Sequence, residues 1–438
     1  MVIILKKTIK KTLNKHPFLK KVILQLYRRG MYLKHKENTK VEGNVFKISP
    51  SDNEHEYFFG YYDKSPWDSS NRYVLCLRVK KNYKQADVTE TAEIIVIDTQ
   101  RDYEDLSRVR VVAITRSWNL QQGCMLQWLG PDFSSKILYN DFRDNHNCSV
   151  ILNLITGEER VIDVPVYSVS SDGTFALTLD FNRLHNLRPG YGYANTIETT
   201  KDEKLPDSTA IWYVDLVNNR VSSLLTYKDF AQFEPRDEMI GENVTHKVNH
   251  IMLSPDNKRF MVLYRWFKDG KKYTRLITSD ITGENLYLLS DDDMVSHCYW
   301  RDNAHILAFE RKRQEGDGYY LMEDRTKNYT QFWPSMKNDG HPSYSPNNKF
   351  VVTDTYPGPS RMSSVKIMRS NQADSEICVV GRFFNPFKYE EEFRCDLHPR
   401  WDRTGNIISV DSVYEGERGL YGIDVRETVK HLNKEAIK

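Results

Sequence analysis

Four histidines occupy one position in four successive copies of a repeated sequence unit. The copies read H-I-M-L-S-P-D-N, H-C-Y-W-R-D-N-A, H-P-S-Y-S-P-N-N and H-P-R-W-D-R-T-G, and they begin at His250, His297, His341 and His398. Imidazole nitrogens bind transition metals and exchange protons near neutral pH. An imidazole that recurs at one position of a structural repeat predicts that the four rings converge in space.

Acidic residues follow three of these histidines, at the end of the second strand predicted in each unit. They are Glu310 in L-A-F-E-R, Asp354 in V-V-T-D-T and Asp411 in I-S-V-D-S, with Asp180 and Asn140 at the corresponding place in earlier units. A first strand starts at the sheet edge where its antiparallel second strand ends, so imidazoles and carboxylates should share one rim. We predict a metal site there, in which about three imidazoles reach one ion. The carboxylates would bind the ion or orient the rings. The alternative is that these histidines only hydrogen-bond between neighbouring units.

The elements that must position these residues are short β-strands. In each unit an apolar strand follows the histidine, a turn of the Ser-Pro-Asp-Asn kind comes next, and a second strand is rich in β-branched residues. The unit also occurs without histidine, at Lys64, Met125 and Val166. The shortest spacings between the seven units, 41, 44 and 47 residues, match a four-stranded propeller blade. We therefore predict an all-β, seven-bladed β-propeller, with a pair of β-sandwiches as the alternative.

The ends of the repeat predict how the ring closes and where the domains lie. A C-terminal strand near residues 421–425 leaves the last blade one strand short, and the β-like residues 44–48 are expected to supply it. The expected divisions are a basic helical extension over residues 1–40, the propeller over 41–430 and a polar tail over 431–438.

The longest spacing, between Val166 and His250, predicts an insertion that begins D-F-N-R-L-H-N-L-R-P-G-Y-G-Y at Asp180. It should leave the rim that carries the histidines. Arg183 and Arg188 could grip a carboxylate or phosphate, and His185 could carry a proton. Tyr191 and Tyr193 could stack on a sugar ring. Further positive charge at this rim is expected from Lys64, Arg361 and Arg394. The alternative is an ordered loop with arginine–aspartate surface pairs.

The N-terminal residues 1–36 are strongly basic. They hold eleven Lys or Arg and no Asp or Glu, so the remainder of a chain of net charge +2 carries −9. Two helices separated near Pro17 are expected, with apolar faces at Ile4, Leu5, Ile9 and Leu13 and at Leu19, Ile23, Leu26 and Tyr27. A basic amphipathic helix is typical of binding to an anionic membrane surface. A helix packed on the propeller and a solvated tail are the alternatives.

Other sequence features bear on location and exclude several functions. The apolar run from Val2 to Leu5 is too short for a signal-peptide core, and the six cysteines lack C-x-x-C spacing. We expect free thiols and a cytoplasmic protein, peripheral on the inner membrane. No P-loop, G-x-G-x-x-G or G-x-S-x-G motif is present. The net acidic body argues against nucleic-acid binding.

The H-x-x-x-S-P-D units, over about residues 45–427, resemble the WD40-like repeats of oligogalacturonate lyases. The resemblance implies a seven-bladed propeller that binds a divalent metal, typically manganese, through imidazoles and an amide side chain. It also implies cleavage of uronate-containing oligosaccharides by β-elimination. His250, His297, His341 and His398 match the blade-start histidines, and Gln122 is a candidate for the amide ligand. The family's catalytic base has no assigned match.

Three functions remain open on the sequence. The first is a metal-assisted enzyme that acts on an acidic, uronate-type glycan by β-elimination, with metal ligands among His250, His297, His341, His398, Glu310, Asp354 and Asp411. There His185 or a rim histidine would take the proton, and Arg183 or Arg188 would hold the sugar acid. The second is a bacterial surface-polysaccharide biosynthesis protein at the membrane, either a glycosyltransferase or an accessory subunit. The third is a non-catalytic propeller that binds a protein partner.

Overall fold

Antiparallel strands make up most of the chain in the computed structural model, which describes residues 17–81 and 88–435. The strands form seven sheets of four or five strands each, numbered here as blades in chain order. The seven-bladed β-propeller expected from the repeat is confirmed. The first three blades comprise β3–β6 (His55–Phe58, Tyr73–Lys80, Ala92–Asp98, Val109–Thr115), β7–β10 (Gln127–Trp128, Lys136–Arg143, His146–Asn153, Glu159–Ile162) and β11–β14 (Ser168–Val169, Phe175–Thr178, Thr209–Asp215, Arg220–Thr226).

The remaining four blades carry the histidines. Blade 4 comprises β15–β18 (Thr245–Leu253, Arg259–Lys268, Lys271–Asp280, Tyr287–Ser290), and blade 5 comprises β19–β22 (Val295–Trp300, His305–Lys312, Gly316–Glu323, Tyr329–Phe332). Blade 6 comprises β23–β26 (Ser343–Tyr344, Phe350–Asp354, Met362–Arg369, Cys378–Phe384) with β1 (Val41–Gly43), and blade 7 comprises β27–β29 (Arg400–Trp401, Ile407–Ser412, Gly419–Asp424) with β2 (Val45–Lys47).

The repeated Ser-Pro turn explains why each first strand reverses where it does. In blade 6 the Ser345 hydroxyl donates to the Asn347 side chain and accepts from the Phe350 N–H, and Asn348 takes a positive φ of 56°. Asn tolerates this left-handed backbone better than most residues. The turn residues therefore fix the register between the first two strands.

A repeated tryptophan joins neighbouring blades. It stands three residues after the repeat position, and its indole N–H donates to a carbonyl of the preceding blade. Trp128 donates to Pro66, Trp300 to Met252 and Trp401 to Ser343, at 2.8, 3.1 and 3.3 Å. A buried indole N–H needs an acceptor, so one residue type both fills and orders these junctions.

The N-terminal strands close the ring. Strand β2 pairs with β29, with Val45 opposite Ile423, which confirms the closure expected from residues 44–48. Strand β1 also pairs with β26 and gives blade 6 a fifth strand, which the sequence analysis did not anticipate. The first and last parts of the propeller are thus held together by backbone hydrogen bonds.

Within the described residues, four α-helices accompany the blades: α1 (Pro17–His35), α2 (Phe181–Leu187), α3 (Tyr227–Gln232) and α4 (Arg426–Glu435). Helix α2 begins the insertion, with Asp180 as its N-cap. Helix α4 crosses the expected tail boundary at residue 430, because Leu432 is buried against blades 6 and 7. The expected first N-terminal helix, with Ile4, Leu5, Ile9 and Leu13, lies outside the described residues. All six cysteines are free thiols.

Truncation should separate the closing strands from the basic extension. A chain that starts at residue 37 keeps β1 and β2 and should unfold close to the full-length melting temperature. A chain that starts at residue 49 loses several ladder hydrogen bonds, each worth about 1 kcal/mol, and should melt far lower. Thermal unfolding followed by circular dichroism checks this. Equal melting temperatures would contradict the closing role of β2.

Candidate metal and anion site

The repeat positions lie where the first strand of each blade begins its pairing. Met125, Val166, His341 and His398 each stand two residues before such a strand, whereas His250 and His297 lie at interruptions in the pairing of β15 and β19. The backbone of Met125, His250 and His398 has φ of 55°, 55° and 45°. Three of the seven repeat positions thus share a left-handed backbone conformation.

The four imidazoles lie together around two tyrosines. The ring centroids of His297 and His341 are 4.1 Å apart, and those of His341 and His398 are 4.4 Å apart. The ring of Tyr62 lies within 6.4 Å of all four imidazoles, and Tyr61 contacts those of His250, His341 and His398. Both tyrosines leave the first strand of blade 1 as an excursion between β3 and Trp67. They plug the channel beneath the histidines.

Carboxylates orient two of the rings. His341 Nδ1 lies 2.8 Å from Asp354 Oδ1, and His297 Nδ1 lies 3.0 Å from Asp339 Oδ1. Burial opposes the charged form of His341, but Asp354 outweighs it and raises the pKa of that imidazole. Burial lowers the pKa of His297 despite Asp339. An Nδ1–H donated to a carboxylate leaves Nε2 as the coordinating or basic nitrogen.

Three residues that could hold a metal ion lie together at one side of this cluster. One ligand atom from each of His341, Asp396 and His398 lies within 4.8 Å of the others, and all three residues are buried. Nε2 of His341 and Nε2 of His398 are buried and have no hydrogen-bond partner. Buried polar atoms without a partner are rare and need an explanation. Two imidazoles and a carboxylate suit a divalent transition metal, so the residues fit such an ion.

The other two histidines occupy the adjoining part of the cluster. His250 Nε2 lies 3.3 Å from the Tyr62 hydroxyl and 3.2 Å from the Cys298 carbonyl oxygen. Burial is the main cause that lowers the pKa of His250 to about 3, and the nearby His297 is the second cause. His250 is therefore a neutral imidazole held by protein partners.

The residues at the ends of the second strands tie each blade to the next. Asn140 accepts from the Val166 N–H at 2.8 Å, and Asp354 accepts from the His398 N–H at 3.2 Å. Asp411 accepts from the N–H groups of Phe59 and Gly60 and pairs with Arg400. The expected metal ligands Asp354 and Asp411 thus serve blade contacts, and only Asp354 also holds an imidazole.

Glu310, a further expected metal ligand, does not contact the imidazoles. The turn of blade 5 is one residue shorter than that of blade 7: Trp300 pairs with Ile306, whereas Trp401 pairs with Ile408. Such a change of register reverses the face on which a strand residue lies. Glu310 is buried instead with Lys312, whose Nζ lies 2.7 Å from Oε1.

The free energy of unfolding should depend on pH because of Glu310. Burial raises the pKa of Glu310 to about 7, despite Lys312. A carboxyl with a raised folded pKa favours the native state below its unfolded pKa and loses that contribution as pH rises through the folded value. Between pH 4 and pH 8 we expect wild type to lose about 3 kcal/mol relative to Glu310→Gln. Urea denaturation at both pH values measures this, with Glu284→Gln as an exposed control. Parallel pH profiles would contradict it.

Two buried basic side chains lie beside the imidazoles and form no ion pair with any carboxylate in the described part of the chain. Arg265 and Lys247 are 5% and 2% exposed, and Nε of Arg265 is buried without an acceptor. Burial is the main cause that lowers the pKa of Arg265 to about 10, and the positive charge of Arg188 is the second cause. Burial is also the main cause that lowers the pKa of Lys247 well below its usual range, and the charge of Arg265 is the second. Tyr61, which contacts the histidines, also influences Arg265. Burial disfavours the charged forms of both side chains, and a bound anion would favour them again.

The insertion lies at the histidine rim, but most of its expected binding residues are used internally. Arg183 is buried, with Nη1 3.0 Å from Glu198 and further bonds to backbone carbonyls. Tyr193 is buried, stacks on Phe181 at 4.6 Å and accepts from Asn140. Neither residue can reach a substrate. His185 lines a separate small cavity with Trp118 and Asn119.

Tyr191 lies at the histidine end of the channel together with two of the expected cations. The third expected cation, Lys64, lies at the opposite end. Tyr191 accepts from Arg394 at 2.9 Å and lies under the Arg188 guanidinium at 4.2 Å, so it joins the insertion to residues 385–399. Arg394 also pairs with Asp396 at 2.8 Å. Arg361 holds that same segment through Asn385 and Glu390. Lys64 pairs with Asp63 and lines the opposite mouth, beyond Tyr62.

Several residues of the site escaped the sequence analysis. Asp396 stands two residues before His398, and this D-x-H spacing was a usable signal. Tyr61 and Tyr62 belong to an aromatic run from Phe58, within the unit of Lys64. Gln122, the candidate amide ligand, donates from Nε2 to the Tyr167 hydroxyl at 2.9 Å, and its buried Oε1 has no partner.

Solved structures define the class to which this fold belongs. Oligogalacturonate lyase in complex with manganese aligns with 90% of this chain and 96% of that chain, with a TM-score of 0.62 and 15% identity. Oligogalacturonate lyase from Vibrio parahaemolyticus aligns over 90% and 100%, with a TM-score of 0.59 and 11% identity. The β-propeller domain of the Trilobed protease from Pyrococcus furiosus aligns with 85% of this chain and 96% of that chain, with a TM-score of 0.48 and 10% identity. The sequence matches no protein-family model and no curated protein.

The chain is a seven-bladed β-propeller. More particularly, it is a propeller that resembles the oligogalacturonate lyase type in its fold.

Proposed function

We propose that this propeller is a metal-assisted enzyme that acts on an acidic, uronate-type glycan by β-elimination. The observation that carries the proposal is the meeting of two unsatisfied groups. Among the residues that the structure describes, Nε2 of His341 and Nε2 of His398 have no hydrogen-bond partner, and the buried side chains of Arg265 and Lys247 form no ion pair with a carboxylate. A bound metal would give the two imidazole nitrogens a partner, and an anionic substrate would give the two basic side chains a partner.

His341, Asp396 and His398 would hold the metal, and Asp354 would keep Nε2 of His341 directed at it. A bound divalent metal supplies Lewis-acid stabilisation of negative charge on the substrate carboxylate. Tyr61 and Tyr62 close the channel below these ligands. They also exclude water from that side, which strengthens electrostatic interactions within the site.

Arg265 and Lys247, with Arg188 near them, would hold the acidic group of the glycan. A guanidinium binds a carboxylate through two parallel hydrogen bonds, and Nε of Arg265 is a buried donor without an acceptor among the described residues. This assignment replaces Arg183, which Glu198 occupies. It also explains why buried cations are kept where an apolar side chain would be more stable.

His297 is the residue best placed to act as base. Its ring lies 4.1 Å from that of His341, and Asp339 takes Nδ1. Its lowered pKa keeps the imidazole neutral at pH 7, as a base requires. The base removes the proton from the carbon next to the carboxylate. A double bond then forms to the neighbouring carbon, and the glycosidic C–O bond on that carbon breaks. Its electron pair goes to the oxygen, which takes up a proton from the protonated base or from water.

The similar solved structures support this reading in part. The printed names of two of them are oligogalacturonate lyase, and one of those structures contains manganese. At 15% and 11% identity they show the fold alone. The metal and the acidic saccharide therefore rest on the residues described above.

Metal analysis and a panel of substrates test the proposal. The purified full-length protein is expected to retain or bind manganese. It should then convert at least one uronate oligosaccharide to an unsaturated product, which is followed by ultraviolet absorbance. Products without a double bond would replace β-elimination with hydrolysis. A protein that binds neither metal nor any acidic saccharide would favour the protein-binding propeller instead.

A further inference from the structure

We propose that helix α1 seats the propeller on an anionic membrane surface, through an apolar face that the propeller leaves uncovered. Leu19, Ile23, Leu26 and Leu33 are 49%, 42%, 64% and 70% exposed. Exposed leucines are common singly, but four on one helix form a contiguous apolar surface that marks an interaction site. No helix among the described residues is long and apolar enough to cross a membrane.

The two sides of α1 are separated by their contacts. At about 100° per residue, those four apolar residues fall within an arc of about 80°. On the opposite side Lys21 pairs with Glu391 at 3.0 Å, Arg28 lies 3.6 Å from Glu390, and the Tyr32 ring contacts Phe387 at 5.5 Å. The propeller thus binds the polar side of the helix and turns its apolar side outward.

The charges around this face select the occupant. Arg29 and Lys34 lie about 70° to either side of it on the helical wheel, although the Arg29 guanidinium also lies 5.9 Å from the centroid of the Phe387 ring of the propeller. Residues 1–36 contain no acidic residue. Basic residues that flank an apolar face match a bilayer with anionic headgroups. A second copy of the chain would bring two basic surfaces together, so self-association on this face is disfavoured.

Docking through α1 would place the site at the membrane. The segments that hold the helix, residues 355–361 and 385–399, both leave the rim that carries the histidines. A cleft of about 380 Å³ runs between Tyr27 and Met31 of α1 and Tyr356 and Arg394 of the propeller. The Tyr356 ring is 5.8 Å from that of His341. If the proposed function holds, the cleft offers a membrane-anchored acidic glycan a path to the metal ligands.

Vesicle sedimentation of the full-length protein tests the docking. We expect binding to phosphatidylglycerol-containing vesicles and much weaker binding to phosphatidylcholine. The double variant Leu26→Gln and Leu33→Gln should weaken binding about tenfold or more, because each leucine side chain would otherwise be removed from water. Arg29→Gln with Lys34→Gln should weaken it about fivefold per charge, and only on the anionic vesicles.

Matched controls separate this inference from the alternatives. Ile155→Gln with Val217→Gln changes two equally exposed apolar residues, 82% and 62% exposed, on other blades, and should leave vesicle binding unchanged. Full-length protein that ignores anionic vesicles would overturn the inference. So would a dimer that the Leu26→Gln and Leu33→Gln variant dissociates. Turnover of a soluble glycan should survive all these changes, so loss of docking and failure of the proposed function are distinguishable.

Discussion

Replacing His341 with alanine should remove both metal binding and turnover. His341 is the centre of the cluster: it is a member of the three-residue ligand set and contacts the rings of His297 and His398. Loss of a carboxylate that only orients a ligand costs about 10- to 100-fold in metal affinity, so loss of the ligand itself should cost more. We expect manganese affinity to fall by more than about a hundredfold and product formation to become undetectable.

Two readouts make this prediction independent of the identity of the glycan. Manganese should raise the melting temperature of wild type, because a ligand that binds only the native state stabilises it. It should leave the melting temperature of His341→Ala and of His398→Ala unchanged. His146→Ala is the control, since this histidine is exposed on blade 2 and, among the described residues, its ring forms a hydrogen bond only with the Asp144 carbonyl. Normal manganese binding by His341→Ala would show that the ligand set is wrong.

Replacing Arg265 or Lys247 with methionine should weaken binding of the acidic ligand and stabilise the protein. Each buried cation lacks a carboxylate partner, so a methionine of similar length removes the cost of burying its charge. We expect a gain of about 1–3 kcal/mol in unfolding free energy. The same substitution removes a charged contact to ligand, which typically costs about 2–5 kcal/mol. Affinity for the active glycan should therefore fall at least about thirtyfold.

The opposite signs of these two effects identify a binding residue. Arg275 provides the control: it lies on the neighbouring strand of the same blade, but its guanidinium pairs with Asp291 and two backbone carbonyls. Arg275→Met should destabilise the protein by several kcal/mol and leave ligand affinity unchanged. Urea denaturation and titration calorimetry measure both quantities. If Arg265→Met destabilised the fold as Arg275→Met does, Arg265 would be a structural residue.

Most of the fold could be predicted because the propeller repeats one unit. The Ser-Pro turn and the tryptophan three residues after the repeat position recur in the sequence, and they set the register and the junctions between blades. The closing strand was predictable for a different reason: blade 7 lacked one strand. Strand β1 was not, since Val41–Gly43 is three residues long and no vacancy in blade 6 called for a fifth strand.

The site was predictable only where the repeat kept its register. The histidines converge because each starts a blade, and Asp354 reaches His341 across the first strand pair. Glu310 does not reach the histidines, because the turn before its strand is one residue shorter and places its side chain on the opposite face of the strand. Asp396 and Lys247 are close to histidines along the chain, and Arg265 lies opposite Lys247 on the next strand. They were missed because none of them stands at a position that the repeat marks. The unsatisfied state of the two cations is a property of their surroundings, which no local pattern encodes.

The pairing of β2 with β29 has a consequence for synthesis. Residues 45–47 are synthesised before their partner strand, Gly419–Asp424, and more than 350 residues separate the two strands along the chain. Until then blade 7 does not exist and the N-terminal strands expose unpaired backbone, an edge that promotes association with other chains. A messenger cut short before this point therefore yields a protein that cannot close and is prone to aggregate. The N-terminal strand β2 stays unpaired until blade 7 has been synthesised.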